Sequence, residues 1–307
     1  MPAGDERLAA VDAEIADDDA GWPGHEPRRY ALTVILPIRD PHPVYFAEAV
    51  ASVFAQTSDA WRLVVVAEAQ ELERISTMLG GWAHDPRVTV GTNRGVRLAG
   101  AINTAMEVAE TEFVALLLGD DLWEPDAVAV LSAHIRLYPG TDFFHTGRRY
   151  VDDDGVALSG VYRPRPHVSI DDFRERAPVK HLLCWRRSMG LAIGVDERFY
   201  ATGTDDLDFP WVMAEHGARF RAVDHCCYVY RDHRDGTRLT THQHQRAKKR
   251  EMVAILRKHG LGWRERRRRV RAEGRAFLRQ SRYRSALHRQ LSRWLGRAPV
   301  EWREPYR

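Results

Sequence analysis

The segment Glu112-Phe-Val-Ala-Leu-Leu-Leu-Gly-Asp-Asp-Leu-Trp-Glu-Pro125 contains an unbroken apolar run, Phe113 to Leu118. The run stops at a glycine and two adjacent carboxylates, Asp120 and Asp121. An apolar run that is too short for a helix and is bounded by turn residues predicts a strand buried on both faces.

The same rhythm extends upstream. Leu32 to Leu36, Leu63 to Val66 and Val88 to Val90 read as three earlier buried strands. Helices are expected between them, over Pro43 to Gln56, Glu71 to Leu79 and Leu98 to Val108. In the first, Phe46, Val50, Val53 and Phe54 share one face. Four strands alternating with helices predict a mainly parallel sheet flanked by helices. Downstream, Pro125 to Leu137 and Asp205 to His216 read as helices, the second closed by Gly217. Phe143 to Val151 and Val156 to Val161 flank Asp153-Asp154-Gly155, a hairpin signal. Phe220 to Val223 and Cys226 to Tyr230 read as two further short strands, and helices are expected from Thr241 on.

The chain has 307 residues, 44% hydrophobic and 29% charged, with a net charge of +3. That length and apolar content suffice for one large α/β domain with appendages. The charge is uneven: Asp5 to Asp19 is acidic and Arg264 to Arg293 is dense in arginine. Residues 1–29 read as an acidic arm, with a short helix at Arg7 to Ile15. Residues 241–307 read as a basic helical extension with an apolar stripe at Leu287, Leu291 and Trp294. That extension suits packing on the domain, docking on an anionic membrane or, least well, nucleic acid. The three cysteines, Cys184, Cys226 and Cys227, make no disulfide framework. His225, His233, His242 and His244 lack the paired Cys-x2-Cys spacing of a zinc site. With no signal-like start and no membrane-length apolar run, the expected location is cytoplasmic, with the inner membrane face as a peripheral site.

Open α/β sheets bind ligands beyond the carboxyl ends of their strands. Those ends carry Pro37-Ile38-Arg39-Asp40, Ala67-Glu68-Ala69-Gln70, Gly91-Thr92-Asn93-Arg94-Gly95 and Gly119-Asp120-Asp121. Two adjacent carboxylates repel unless a cation or solvent screens them. A hard divalent ion, Mn²⁺ or Mg²⁺, would resolve the repulsion and bridge substrate phosphates. A helix cap or a solvated loop would also accommodate the pair. Arg94 and Arg97 suit phosphate oxygens, or equally a solvated loop. Asp205, Asp206 and Asp208 open a helix, where acids are favourable in any case.

The stretches Thr33 to Asp40, Ala49 to Thr57, Asn93 to Asn103 and Glu112 to Pro125 resemble the family 2 glycosyltransferases. So do Ile193 to Phe199, Gly203 to Asp208 and Tyr228 to His233. The resemblance spans roughly residues 31 to 240, and the order and spacing of the motifs carry it. It implies a GT-A fold, residues 30–240, with a nucleotide-sugar half at 30–121 and an acceptor half at 122–240. It implies inverting transfer from a UDP-, dTDP- or GDP-linked sugar to an acceptor hydroxyl. Asp120 and Asp121 take the metal-binding position, with His233 beside the metal or diphosphate. Asp206 takes the place of the catalytic base. Pro37, Arg39, Glu68, Asn93, Arg97 and Asp120 form the expected donor side, and Asp205, Asp208 and Trp185 the acceptor side. A homodimer is a further expectation.

Two positions depart from the family pattern. Ala67-Glu68-Ala69-Gln70 stands where Asp-Asp-Gly-Ser is usual, and Leu118 replaces the first carboxylate of the metal motif. The alternatives are a nucleotidyltransferase, for which no basic glycine-rich loop follows the first strand, and a degenerate GT-A domain that binds without catalysis.

Overall fold

The computed structural model describes residues 31–199, 204–233 and 245–284. The expected acidic arm, its Arg7 to Ile15 helix, His242, His244, Leu287, Leu291 and Trp294 lie outside the described residues.

The first half alternates as its sequence predicts. Strand β1 is Leu32–Pro37 and helix α1 is Pro43–Phe54, followed by β2 at Trp61–Ala67 and α2 at Leu72–Leu79. Strand β3 is Val88–Thr92, α3 is Arg97–Val108 and β4 is Phe113–Leu116. These four strands pair in parallel, in the order β3-β2-β1-β4. Their side chains alternate between two apolar clusters. Leu32, Val34, Leu36, Leu63 and Val65 pack toward α1 and α2. Ile35, Val64, Val66, Val114 and Leu116 pack toward α3. Burial on both faces explains the near-continuous apolar runs.

The second half extends the sheet with mixed pairing. It contains β5 (Leu122–Trp123), α4 (Ala127–Leu137), β6 (Phe143–Val151), α5 (Ile170–Glu175), β7 (Leu183–Arg186) and α6 (Arg187–Ile193). It continues with α7 (Phe209–Glu215) and β8 (Phe220–Arg231). The eight-stranded order is β3-β2-β1-β4-β7-β6-β8-β5. Strand β7 runs antiparallel to β4 and β6, which turns the sheet from its parallel half to its mixed half. Two helices, α8 (Gln245–Lys258) and α9 (Trp263–Arg284), form the C-terminal extension. Among the described residues no helix is long and apolar enough to cross a membrane.

Three local expectations are corrected. The two short strands expected around residue 225 are one strand, β8, with a register shift opposite Thr146 and Gly147. A Cβ at Gly147 would lie 2.9 Å from the His225 carbonyl, so the bulge requires glycine there. The turn at residues 152–155 forms, but its return arm makes only two isolated bridges to β6. Val156, Leu158 and Val161 on that arm are exposed, so no buried face holds it as a strand. The helix expected from Asp205 begins as a wide π turn over Thr204–Asp208 and becomes α-helical only at Phe209. Pro210 has no N–H to give to the carbonyl four residues before it. The exit of α7 is as expected: Gly217 takes φ 82°, and Ala218 N–H reaches the Met213 carbonyl at 3.0 Å, a Schellman closure.

Candidate functional site

The carboxyl ends of β1 to β4 bring the expected donor residues to one edge. Pro37 ends β1 and is buried, while Arg39 just beyond it is exposed. Asp40 takes a positive φ of 45°, its N–H donating to Glu71 Oε1 at 2.9 Å and its carboxylate accepting from Arg74 at 2.9 Å. Asn93, after β3, organises the next loop. Its amide donates to Glu68 Oε1 at 3.0 Å and to the Arg97 carbonyl at 3.1 Å, and its Oδ1 accepts the Gly95 N–H at 2.9 Å. Glu68, Asn93 and Arg97 therefore form one cluster. Gly95 and Gly100 pack backbone to backbone, since a Cβ on Gly100 would lie 2.4 Å from the Gly95 carbonyl carbon. Glu197, from the second half of the chain, closes this loop by accepting the Val96 N–H at 2.8 Å.

The two adjacent aspartates after β4 have different environments. Asp121 is buried, and both its oxygens are occupied. Oδ1 accepts the Arg231 N–H at 2.8 Å and Oδ2 accepts the Tyr228 hydroxyl at 2.8 Å. Burial, and then the charge of Asp120, push its pKa up to about 7. Asp120 keeps 43% of its side chain exposed and meets His233 Nε2 at 3.0 Å. His233 Nδ1 faces Asp153 Oδ1 at 2.9 Å. The Asp120 bond raises the His233 pKa, against the opposing effect of burial, and Asp153 adds to the rise. Tyr45 donates to the same Asp153 oxygen at 3.1 Å. Arg231 ties this ring together. It is buried, its Nε donates to the Asp120 carbonyl at 3.0 Å and its Nη1 to the Asp153 carbonyl at 3.1 Å, and it pairs with Glu48. Its guanidinium lies 4.4 Å from the Tyr45 ring centroid.

The acceptor-side aspartates separate in the same way. Asp206 receives Lys180 Nζ at 2.7 Å. Asp205 is buried against His181, Nε2 to Oδ2 at 2.9 Å. Burial alone would raise the Asp205 pKa, but the His181 hydrogen bond and charge outweigh it and hold Asp205 below its ordinary value. Burial would likewise lower His181, and Asp205 overrides it and raises it. The His181 ring also stacks on Tyr228, centroids 5.3 Å apart. Tyr228 bonds Asp121, so a continuous buried path joins the two acidic pairs: Asp121, Tyr228, His181, Asp205.

Two acceptor-side expectations are corrected. Trp185 is buried in the core, edge-on to Phe209 at 5.2 Å with its indole N–H toward Met106 Sδ at 3.2 Å, and offers no surface to an acceptor. Asp208 is an anchor for the C-terminal helices. It accepts His259 Nε2 at 3.0 Å and Lys258 Nζ at 2.7 Å, with the His259 ring stacked on Trp211 at 4.0 Å.

Among the described residues no cluster of three or more His, Cys, Asp or Glu side chains is arranged to hold a metal ion. The expected trio is split, because Asp120 and His233 converge while Asp121 is committed to Arg231 and Tyr228. What remains is one exposed carboxylate, Asp120, and one imidazole whose two nitrogens face Asp120 and Asp153, so the pair would hold an ion only with His233 neutral and with substrate phosphates and water completing the shell. Tyr45, Glu48, Asp153, Lys180 and His181 contact these candidate residues and were not expected from the sequence. The only local signal was Asp153 in its turn; the rest meet their partners across long sequence separations.

A half-parallel sheet with these carboxylates at its carboxyl edge is a GT-A-like α/β architecture. Residues 33–193 match the model of Glycosyl transferase family 2, more than half of the 307-residue chain, and the chain belongs to that family. Among curated proteins, an uncharacterized protein y4gI of Sinorhizobium fredii is 27% identical over 135 residues, 43% of this chain and 15% of that protein. The succinoglycan biosynthesis protein ExoW of Rhizobium meliloti is 35% identical over 99 residues, 31% of each chain. The match thus spans less than a third of either relative. Among solved structures, S. aureus TarS 1-349 in complex with UDP-GlcNAc aligns with a TM-score of 0.55 at 19% identity, over 73% of this chain and 65% of that one. The mannosyltransferase PcManGT of Pyrobaculum calidifontis, in complex with GDP-Man and Mn²⁺, aligns with a TM-score of 0.52 at 18% identity, over 95% and 84%. At these identities the structural likeness shows the fold.

Proposed function

We propose that this chain is an inverting glycosyltransferase that moves a sugar from a nucleotide-sugar donor to an acceptor hydroxyl. The observation that carries the reading is the juxtaposition of two carboxylate pairs, Asp120/Asp121 and Asp205/Asp206, joined through Tyr228 and His181. In this reading residues 30–121 hold the donor and 122–240 the acceptor. The nucleotide-sugar complexes of the two structural neighbours support a donor of that class, and the Mn²⁺ in one of them supports a divalent ion.

The chemistry follows from the residues. Glu68, Asn93 and Arg97 form the nucleotide side, with Pro37 and Arg39 flanking it. A Mn²⁺ or Mg²⁺ ion held by Asp120 and His233 would neutralise charge on the donor diphosphate. Asp121 holds Tyr228 and the Arg231 backbone in place, which fixes Asp120 from behind. The acceptor oxygen attacks the anomeric carbon from the face opposite the leaving group. The bond from carbon to acceptor oxygen forms, the bond to the diphosphate oxygen breaks, and the hydroxyl proton passes to Asp206. Lys180 orients that carboxylate through Oδ2, and Oδ1 is assigned to the incoming hydroxyl.

The test is a donor panel. With Mn²⁺ present, the purified chain should hydrolyse one of the UDP-, dTDP- or GDP-linked sugars slowly, or be stabilised thermally by the matching nucleoside diphosphate. Silence across the whole panel would sink the reading. Asp206→Asn should keep donor binding and lose transfer by roughly 10²–10⁴-fold; full transfer by that variant would remove Asp206 from the base role.

A further inference from the structure

The arginine-rich start of α9 has two different faces. Its inner face is occupied. Glu265 accepts Arg174 at 2.9 Å and the Gly262 N–H at 2.7 Å, closing the helix N-terminus. Arg269 is buried and pairs with Glu273, and Val270 packs against the core. Both glutamates of this stretch are engaged, Glu273 by Arg269 and the half-exposed Glu265 by Arg174. The outer face carries Trp263, Arg264, Arg267, Arg268 and Arg271, all exposed and at helical spacing. They line a shallow surface groove of about 280 Å³. Trp263 is 62% exposed, and the Arg267 guanidinium lies 5.3 Å from its ring centroid. None of these four arginines forms an ion pair within 4.0 Å of a carboxylate among the described residues, although the charge of Arg268 acts on Glu265.

We propose that this face docks on an anionic phospholipid surface. Four cations on one helical ridge, with Glu265 at its flank already paired to Arg174, complement a sheet of lipid phosphates. An exposed indole at the end of the ridge suits the headgroup layer, where its ring is buried and its N–H stays solvated. A helix lying flat offers this face all at once, as a planar partner requires. The ridge is also fixed to the acceptor side. Lys258 and His259, just before α9, hold Asp208, two residues beyond Asp206. Docking would therefore set the acceptor loop at a defined angle to the lipid surface. That consequence rests on the proposed transferase reading, whereas the docking does not.

The experiment uses the full chain and vesicles of phosphatidylcholine alone or mixed with phosphatidylglycerol. Co-sedimentation should occur with the mixed vesicles and weaken as salt rises. Replacing Arg267, Arg268 and Arg271 together by serine should weaken partitioning on the order of a hundredfold, from about fivefold for each cation near the surface. Replacing the same three by lysine should preserve it, which separates charge from fold. Trp263→Ala should weaken it less, and independently of salt. Equal binding to phosphatidylcholine alone, undiminished binding by the serine variant, or preference for single-stranded RNA over vesicles at matched phosphate would each overturn the proposal. Vesicle binding without any nucleotide response still supports the docking and counts only against the transferase reading.

Discussion

Replacing His181 by alanine is the sharpest perturbation available at this site. The His181 and Asp205 side chains are 7% and 9% exposed and 2.9 Å apart, so solvent screens their attraction little. Removing the imidazole leaves Asp205 buried with only the weaker influence of Lys180, which is partly exposed and paired to Asp206. Breaking one side of such a pair costs about 3–5 kcal/mol. For a domain of this size the midpoint of thermal unfolding should fall on the order of 10 °C. The pH dependence follows from the two shifts. His181 is raised above 6.5, so its stabilisation is complete below 6.5 and is lost as pH rises through the folded value. Asp205 is depressed below 3.8, so its stabilisation is present above 3.8 and is lost as pH falls through the folded value. The gap between wild type and variant should therefore be widest between pH 3.8 and 6.5 and should narrow in alkali. Thermal melts across pH, with Asp205→Ala and the double variant, complete a double-mutant cycle. If the proposed reaction is right, nucleotide affinity should hold while turnover falls in activity assays, because His181 anchors Asp205 beside the proposed base Asp206. A loss under about 1 kcal/mol, additive single variants, or a gap that widens in alkali would refute the reasoning.

Tyr228→Phe removes the hydroxyl that holds Asp121 Oδ2 and should cost about 1.5–3 kcal/mol in denaturant unfolding above about pH 7, where Asp121 is charged, and less below it. Gly100→Ala would drive a Cβ to 2.4 Å from the Gly95 backbone. It should cost about 1–3 kcal/mol and weaken nucleoside diphosphate binding through the Asn93 loop, read by calorimetry. Asp208→Ala leaves His259 and Lys258 without their shared carboxylate, so limited proteolysis should cut ahead of α8 faster than in the wild type. Unchanged cleavage would mean that the remaining ties, His259 on Trp211 and Glu215 and Lys258 on Asp196, are sufficient to hold the extension.

Much of this architecture is legible along the chain, because the pattern that reports burial has a short range. The largely apolar runs of β1, β2 and β4 and the periodic faces of α1 and α3 are set by residues within one or two turns of each other. The Asp120-Asp121 pair at a strand end was visible for the same reason, and so was Gly217 as a helix stop. What the two aspartates do individually was not visible. The pair sits in a turn closed by the Asp121 N–H on the Leu118 carbonyl at 3.1 Å, which sends the two side chains apart, and only the approach of β8 decides which is enclosed. Asp121 lies under Tyr228 and the Arg231 backbone, while Asp120 faces outward to His233, across a sequence separation of 113.

The same limit explains Trp185 and Asp208. A tryptophan near the acceptor motif and a third aspartate in it look like binding residues along the chain. Folding buries the tryptophan between Phe143 and Phe209 and sets the aspartate against α8. By itself, then, the sequence determined the parallel half-sheet, the strand-end carboxylates and the family pattern, all written in short-range periodicity and motif order. Tertiary structure alone decided the partnerships of Asp153 with His233, Lys180 with Asp206 and His181 with Asp205. Each joins segments tens of residues apart, and no local pattern encodes which charge will be brought beside which.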